Sequence, residues 1–304
     1  MEPLSSLLTE FAFGRKDYND AAAEKAPDAR SQKLMGPDYV GYLRRQRENL
    51  ALLSAKRFRI MNIVSEDGLK LTGRLYINEN TDSRITAVMV HGYGSNGLKG
   101  AASIGLNFIA HGYNLFVTDN RASGDSEGKY MTFGIMESRD TARWLEVLRK
   151  ERPDDTFFLL GVSLGGGTVC DMASMKLDAP VRAIVSDCGF ESIRSEFSFY
   201  ASEYYHVPPK IMLPLLEKGF REATGLDFDI ANPITSVASA ELPMLFIHGK
   251  EDEYVPCPHS DHLYAACSSP KKKLLQIDGA GHASAERFGR DLYYGTIYDF
   301  IENA

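Results

Sequence analysis

The sequence predicts an α/β protein: an eight-stranded, mostly parallel sheet flanked by helices, with an N-terminal helical extension and a small helical lid insertion. Three observations carry that reading. Short runs such as Val88-Met89-Val90 and Ala183-Ile184-Val185 are apolar throughout instead of alternating, as strands covered on both faces are. Helix-compatible segments separate successive runs, the rhythm of parallel strands joined by crossovers. Residues 156–169 read strand, sharp turn, helix, with Gly161-Val162-Ser163-Leu164-Gly165 at the turn.

Taken in order, residues 1–57 are expected to form the helical extension, from the polar, alanine-rich Asp20-Ala21-Ala22-Ala23-Glu24-Lys25 to a segment from Pro37 to Lys56. In that segment Tyr39, Tyr42, Leu43, Leu50 and Leu53 recur at helical spacing with Arg44, Arg45 and Arg47 between them. Such a helix packs on the core; a partner-binding or membrane-surface helix is the bolder alternative. From residue 58 to 304 a single catalytic domain is expected, with strands at 58–65, 71–78, 85–91, 113–118, 156–161, 181–187, 243–248 and 272–277. Glu66-Asp67-Gly68 supplies a hairpin-type turn between the first two. A helix through Ile135, Met136, Trp144, Leu145 and Leu148 stops before Pro153, and Trp144 reads as core. Residues 190–241 break the strand-helix rhythm with Phe190, Phe197, Tyr200, Tyr204, Phe220 and Phe228. This lid insertion either glues helices to the sheet or lines an acyl or aryl pocket; both readings stand at this point.

Composition narrows the function. With 44% hydrophobic and 25% charged residues, the 304-residue chain has the make-up of an ordinary globular protein. A net charge of -7 argues against a general nucleic-acid binder, because phosphate contacts need clustered Lys and Arg; Lys271-Lys272-Lys273 is the one basic run and leads straight into a strand. Residues 1–10 lack the positive start and apolar core of a secretory leader, and no apolar run reaches membrane-spanning length. The expectation is a cytoplasmic protein without integral membrane association. Cys170, Cys188, Cys257 and Cys267 show no Cys-x-x-Cys spacing and read as reduced thiols.

The chemistry centres on Ser163. A serine on a tight strand-to-helix turn has its hydroxyl lifted clear of the sheet, and flanking glycines let strand and helix approach closely. A hydroxyl attacks only when a base takes its proton and a carboxylate orients that base. Asp252, in the acidic loop after the strand ending at His248-Gly249, is the candidate acid. His282 closes the loop Asp278-Gly279-Ala280-Gly281-His282 after the last strand and is the candidate base. Asp187 and Asp278 compete with Asp252 for the acid role. The backbone N–H of Leu164 is one donor for the oxyanion that forms on attack.

With these residues in place, the chain resembles the α/β-hydrolase superfamily, closest to its single-domain serine esterase, lipase and aminopeptidase-like members. The resemblance spans residues 58–304 and rests on His91-Gly92-Tyr93-Gly94, the segment from Asp119 to Ser126, the Ser163 turn, the Asp252 loop and Gly281-His282. The order Ser163, Asp252, His282 is that superfamily's chain order. The resemblance implies that the backbone N–H of Tyr93 is the second oxyanion donor. Ala122 departs from the glycine that many relatives carry at that point, which bears on loop shape more than on chemistry.

Other polar residues read as structural. His91 organises its loop rather than serving as a second base, Arg121 and Asp125 brace the loop after the fourth strand, and the spacing of Cys257, His259 and His262 fits no strong zinc pattern. Residues 92–97 lack the lysine and hydroxyl of a phosphate-binding loop. No cofactor and no metal are expected. The partners are a small-molecule acyl ester and water, no nucleic acid, with oligomeric state open. The resulting expectation is carboxylic-ester hydrolysis through an acyl-enzyme on Ser163. Peptide or amide hydrolysis of the aminopeptidase type is the alternative, as is a non-catalytic binding protein on the same fold.

Overall fold

The computed structural model describes residues 3–16 and 39–304. Its helices are α1 (Leu4–Phe13), α2 (Tyr39–Ala55), α3 (Gly97–His111), α4 (Ile135–Glu151), α5 (Leu164–Asp171), α6 (Ile193–Phe199), α7 (Pro209–Thr224), α8 (Pro233–Val237), α9 (Pro258–Ala266), α10 (Ala285–Phe288) and α11 (Arg290–Glu302). The strands are β1 (Arg59–Val64), β2 (Lys70–Tyr76), β3 (Ile85–Val90), β4 (Asn114–Thr118), β5 (Thr156–Val162), β6 (Val181–Asp187), β7 (Met244–Gly249) and β8 (Lys272–Ile277). All eight coincide with the sequence-predicted strands to within two residues at each end. The alanine-rich stretch from Asp20 to Lys25 and the predicted helix start at Pro37 lie outside the described residues.

One sheet holds every named strand, in the order β1-β2-β4-β3-β5-β6-β7-β8. The β1-β2 and β2-β4 pairings are antiparallel and the rest parallel. Consecutive residues of β5 show why its sequence is apolar without alternation. Phe157 and Leu159 join Trp144, Leu145 and Val169 on one face, while Phe158 and Leu160 join Phe108, Tyr293 and Ile297 on the other. Both faces are therefore core, as the period of two along a strand demands when helices cover each side.

Parallel pairing brings the carboxyl ends of β3, β5, β6, β7 and β8 to one edge of the sheet. The loops that leave that edge carry His91 and Tyr93, Ser163, Cys188, Asp252 and His282 respectively. Above it sits a third apolar cluster, in which Phe13 of α1 packs with Phe133, Phe190, Phe197, Phe220 and Phe228. In the insertion Phe220 and Phe228 are buried packing residues, whereas Phe197 and Tyr200 border a cavity over Ser163. Among the described residues no helix is long and apolar enough to cross a membrane.

Candidate active site

Ser163 occupies a backbone conformation with φ 58° and ψ -116°, between the last residue of β5 and the first of α5. A non-glycine residue at positive φ is strained and is held only where its surroundings leave no alternative. The neighbouring glycines supply that constraint. A Cβ at Gly161 would lie 1.9 Å from the Gly165 carbonyl oxygen, and one at Gly165 would lie 2.0 Å from that of Val90. The Ser163 N–H donates to the Asp187 carbonyl at 2.8 Å, which ties the turn to β6. The strain and the crowding explain why small residues surround this serine.

Three predicted residues meet here. His282 Nδ1 lies 2.8 Å from Asp252 Oδ2, and its Nε2 lies 2.9 Å from Ser163 Oγ. A carboxylate only accepts, so Nδ1 carries the proton and Nε2 is left as acceptor for the serine hydroxyl. Asp252 is held in turn: its Oδ1 accepts the N–H groups of Tyr254 and Val255 at 2.8 and 2.9 Å. Burial alone would raise the Asp252 carboxyl. The facing imidazoles of His282 and His248, with their hydrogen bonds, overcome that and hold it well below the ordinary carboxylate range.

His248 is a residue whose part in this site the sequence reading did not anticipate. It is fully buried at the end of β7, with Nε2 2.9 Å from the Val255 carbonyl and 3.3 Å from Asp252 Oδ2. The competing carboxylates are engaged elsewhere. Asp187 Oδ2 accepts the Tyr293 hydroxyl at 2.9 Å, and burial pushes its carboxyl up to about 6 against that hydrogen bond. Asp278 pairs with Lys250 at 2.7 Å on the surface.

The loop after β3 lies against the serine, where a Cβ at Gly92 would stand 3.2 Å from that of Ser163. His91 anchors this loop: Nε2 accepts the Asn120 N–H at 3.0 Å, so Nδ1 is the protonated nitrogen and donates to the Gly92 carbonyl at 2.8 Å. Burial lowers its affinity for a second proton. Arg121 is fixed between Asp140 and Asp67, and Asp125 pairs with Arg74, so both brace the scaffold beneath the site. Of the residues weighed for metal binding, His262 Nδ1 meets Glu191 Oε2 at 2.6 Å and His259 Nδ1 accepts the Glu191 N–H at 3.2 Å.

Two spaces open from Ser163. One is a cavity of about 340 Å3 walled by aromatic and aliphatic side chains, among them Tyr93, Phe133, Leu164 and Phe197. The other is a cleft of about 720 Å3 bordered by His282 and by charged residues that include Arg47, Lys99 and Glu286. The cavity wall carries one carboxyl, that of Glu196, which is 2% exposed and whose Oε2 has no hydrogen-bond partner among the described residues. Burial raises the Glu196 carboxyl to about 8 despite a hydrogen bond from Tyr200, so it is protonated at neutral pH. A glutamate between Arg194 and Phe197 in an insertion gives no sequence signal of its own.

The family described as alpha/beta hydrolase fold matches residues 88–222, the stretch that holds the β3 loop and the Ser163 turn. The chain has the α/β-hydrolase fold. Among its relatives, the uncharacterized protein YfhR of Escherichia coli is 27% identical over 80% of both chains. The uncharacterized protein YqkD of Bacillus subtilis is 26% identical over 73% of this chain and 72% of its own. The esterase Pf2001 of Pyrococcus furiosus superimposes with a TM-score of 0.66 at 19% identity, covering 84% of this chain and 94% of its own. That last likeness is one of fold.

Proposed function

We propose that this protein cleaves carboxylic esters through an acyl-enzyme on Ser163. The observation that carries the reading is the unbroken hydrogen-bonded chain from Ser163 Oγ through the His282 ring to Asp252. His282 Nε2 takes the hydroxyl proton as Oγ attacks the ester carbonyl, and the imidazolium is stabilised by Asp252. The carbonyl oxygen becomes an anion that the N–H groups of Leu164 and Tyr93 receive; the first turn of α5 offers such groups because they lack partners within the helix. Collapse expels the alcohol, which takes the proton from His282. Water then attacks the acyl-serine, giving its proton to His282, and the acid departs as Ser163 is regenerated.

The esterase among the structural neighbours supports the choice of ester over amide. Residues 58–304 form the catalytic unit in this reading, with 190–241 as its lid insertion and 1–57 as an extension. A reducing, cytoplasmic setting suits Cys170, Cys188 and Cys267, which are buried and unbridged. Turnover of p-nitrophenyl esters by the wild type and Ser163→Ala is the test. Loss of turnover in the variant, with fluorophosphonate labelling at Ser163 in the wild type, is expected; equal turnover by both proteins overturns the assignment.

A further inference from the structure

The cavity and the cleft are not interchangeable around a reacting ester. In the proposed mechanism His282 hands its proton to the departing alcohol, so the alcohol must lie on the imidazole side. His282 borders the charged cleft and is not part of the cavity wall. The acyl group is therefore left with the cavity, and the nature of its wall becomes a statement about substrate.

Part of that wall comes from the extension. Leu8, Phe11 and Ala12 of α1 face the cavity opposite Phe133 and Phe197. The helix is anchored at both ends. Phe13 is completely buried, with ring centroids 4.7–5.8 Å from those of Phe133, Phe197, Phe220 and Phe228. Its carbonyl accepts the Met131 N–H at 2.8 Å, and the Arg15 N–H donates to the Lys129 carbonyl at 2.8 Å. At the other end α1 lies directly on α7. A Cβ on Gly219 would stand 2.2 Å from Thr9 Oγ1 and 2.4 Å from the Ser5 carbonyl oxygen. Phe11 is 61% exposed and meets the Tyr205 ring at 6.3 Å, so these two form the rim.

We infer that the N-terminal helix α1 is the specificity wall of an acyl pocket, and that the protein selects esters of apolar, medium-length or aryl carboxylic acids. The inference rests on the esterase reading above. Taking roughly 30 Å3 per small group, the share of one water in liquid, the cavity accommodates an acyl chain of about ten heavy atoms. Aromatic walls contribute contact area to such a chain, and each buried methylene adds favourable transfer energy. The polar groups of the lining are the Ser163 hydroxyl, tyrosine hydroxyls and the Glu196 carboxyl, so a polar acid gains far less there than an apolar one. Ala12 is the position from which a larger side chain fills the space, and Gly219 is the position from which α1 is displaced without substituting a residue of the wall.

The experiment compares acetate, butyrate, octanoate and dodecanoate p-nitrophenyl esters with wild type, Ala12→Phe and Gly219→Val. Wild-type kcat/KM is expected to climb to octanoate and fall at dodecanoate. Ala12→Phe should lower the octanoate-to-acetate ratio of kcat/KM about tenfold or more. Gly219→Val, by lifting α1, should flatten the preference. Identical chain-length profiles in wild type and a folded Ala12→Phe overturn the inference. Thermal shift by octanoic and acetic acids reads the cavity without turnover. Stabilisation of the wild type by octanoate but not acetate, lost in Ala12→Phe, supports the pocket even if Ser163 proves inert. Equal shifts in both proteins count against the pocket even if the ester reading stands.

Discussion

His248 Nε2 lies 3.3 Å from Oδ2 of Asp252, the same oxygen that His282 Nδ1 approaches at 2.8 Å. The two imidazoles thus bracket one carboxylate oxygen, and the backbone N–H groups of Tyr254 and Val255 hold the other. A carboxylate held by His282 and two backbone N–H groups, with His248 close against it, cannot swing away when His282 becomes cationic. His248→Leu roughly keeps the volume and removes the donor. Kinetics with a short-chain ester should show kcat down about tenfold with KM little changed, because a hydrogen bond to a charged group is worth about 1.5–3 kcal/mol. A rise in KM with unchanged kcat would mean that His248 shapes the binding site instead.

Asp252 and Asp187 make opposite predictions despite lying near the same histidine. Asp252→Asn leaves the shape intact but removes the charge that stabilises the imidazolium and fixes its tautomer, so kcat should fall by about 10^3–10^4. Asp187 bonds Tyr293 and not His282, and Asp187→Asn should lose less than about tenfold. Single-turnover acylation measured for both variants separates them. Equal losses would return Asp187 to the reckoning.

The Ser163 turn depends on the absence of side chains at Gly161 and Gly165. Gly165→Ala drives a methyl group into the Val90 and His91 carbonyl oxygens, which stand 2.0 and 3.0 Å from the Cβ position. Both belong to the segment that leads into the loop of Tyr93, and neither is a flexible tip that can step aside. The variant should lose about 2–3 kcal/mol of stability, the cost of overpacking a tight site, and be inactive even where it folds. Denaturant unfolding checks the first part; fluorophosphonate labelling of the folded fraction checks the second.

How far the sequence carried this picture depends on how local each signal was. The Ser163 turn declares itself because strand, glycine and small-residue helix are adjacent in the chain, and β3, β6 and β7 do so because strands buried on both faces cannot alternate. Asp252 and His282 were legible through loops that end strands. His248 was not: Phe246-Ile247-His248-Gly249 reads as the close of a strand, and only the fold of the turn that follows, in which the Val255 carbonyl returns to His248 Nε2, brings the ring against Asp252 four residues on. Glu196 was hidden for a related reason, since nothing in Arg194-Ser195-Glu196-Phe197 says which face of α6 is buried. The role of α1 was the least accessible, because Leu8 and Ala12 meet Phe133 and Phe197 across more than a hundred residues of chain.

Glu196 gives the last prediction, and its sign follows from proton linkage. In the unfolded chain its carboxyl ionises near 4.5, whereas in the folded protein burial, reinforced by Asp252 and opposed by Tyr200 and His248, raises it to about 8. Between these values the folded protein holds a proton that the unfolded chain has released. The stability from this group is complete below 4.5 and is lost as pH rises through about 8. Glu196→Gln has the shape of the protonated acid and no proton to lose. Its Tm should match the wild type at acidic pH and exceed it by several degrees at pH values above the folded-state titration. Asp140 and Asp187 are also raised by burial, each to about 6, but they are common to both proteins and cancel in the difference. Thermal melts of the pair across the range measure that difference directly. A constant offset, or one that shrinks as pH rises, would show that Glu196 is ionised in the folded protein and that a partner neutralises it.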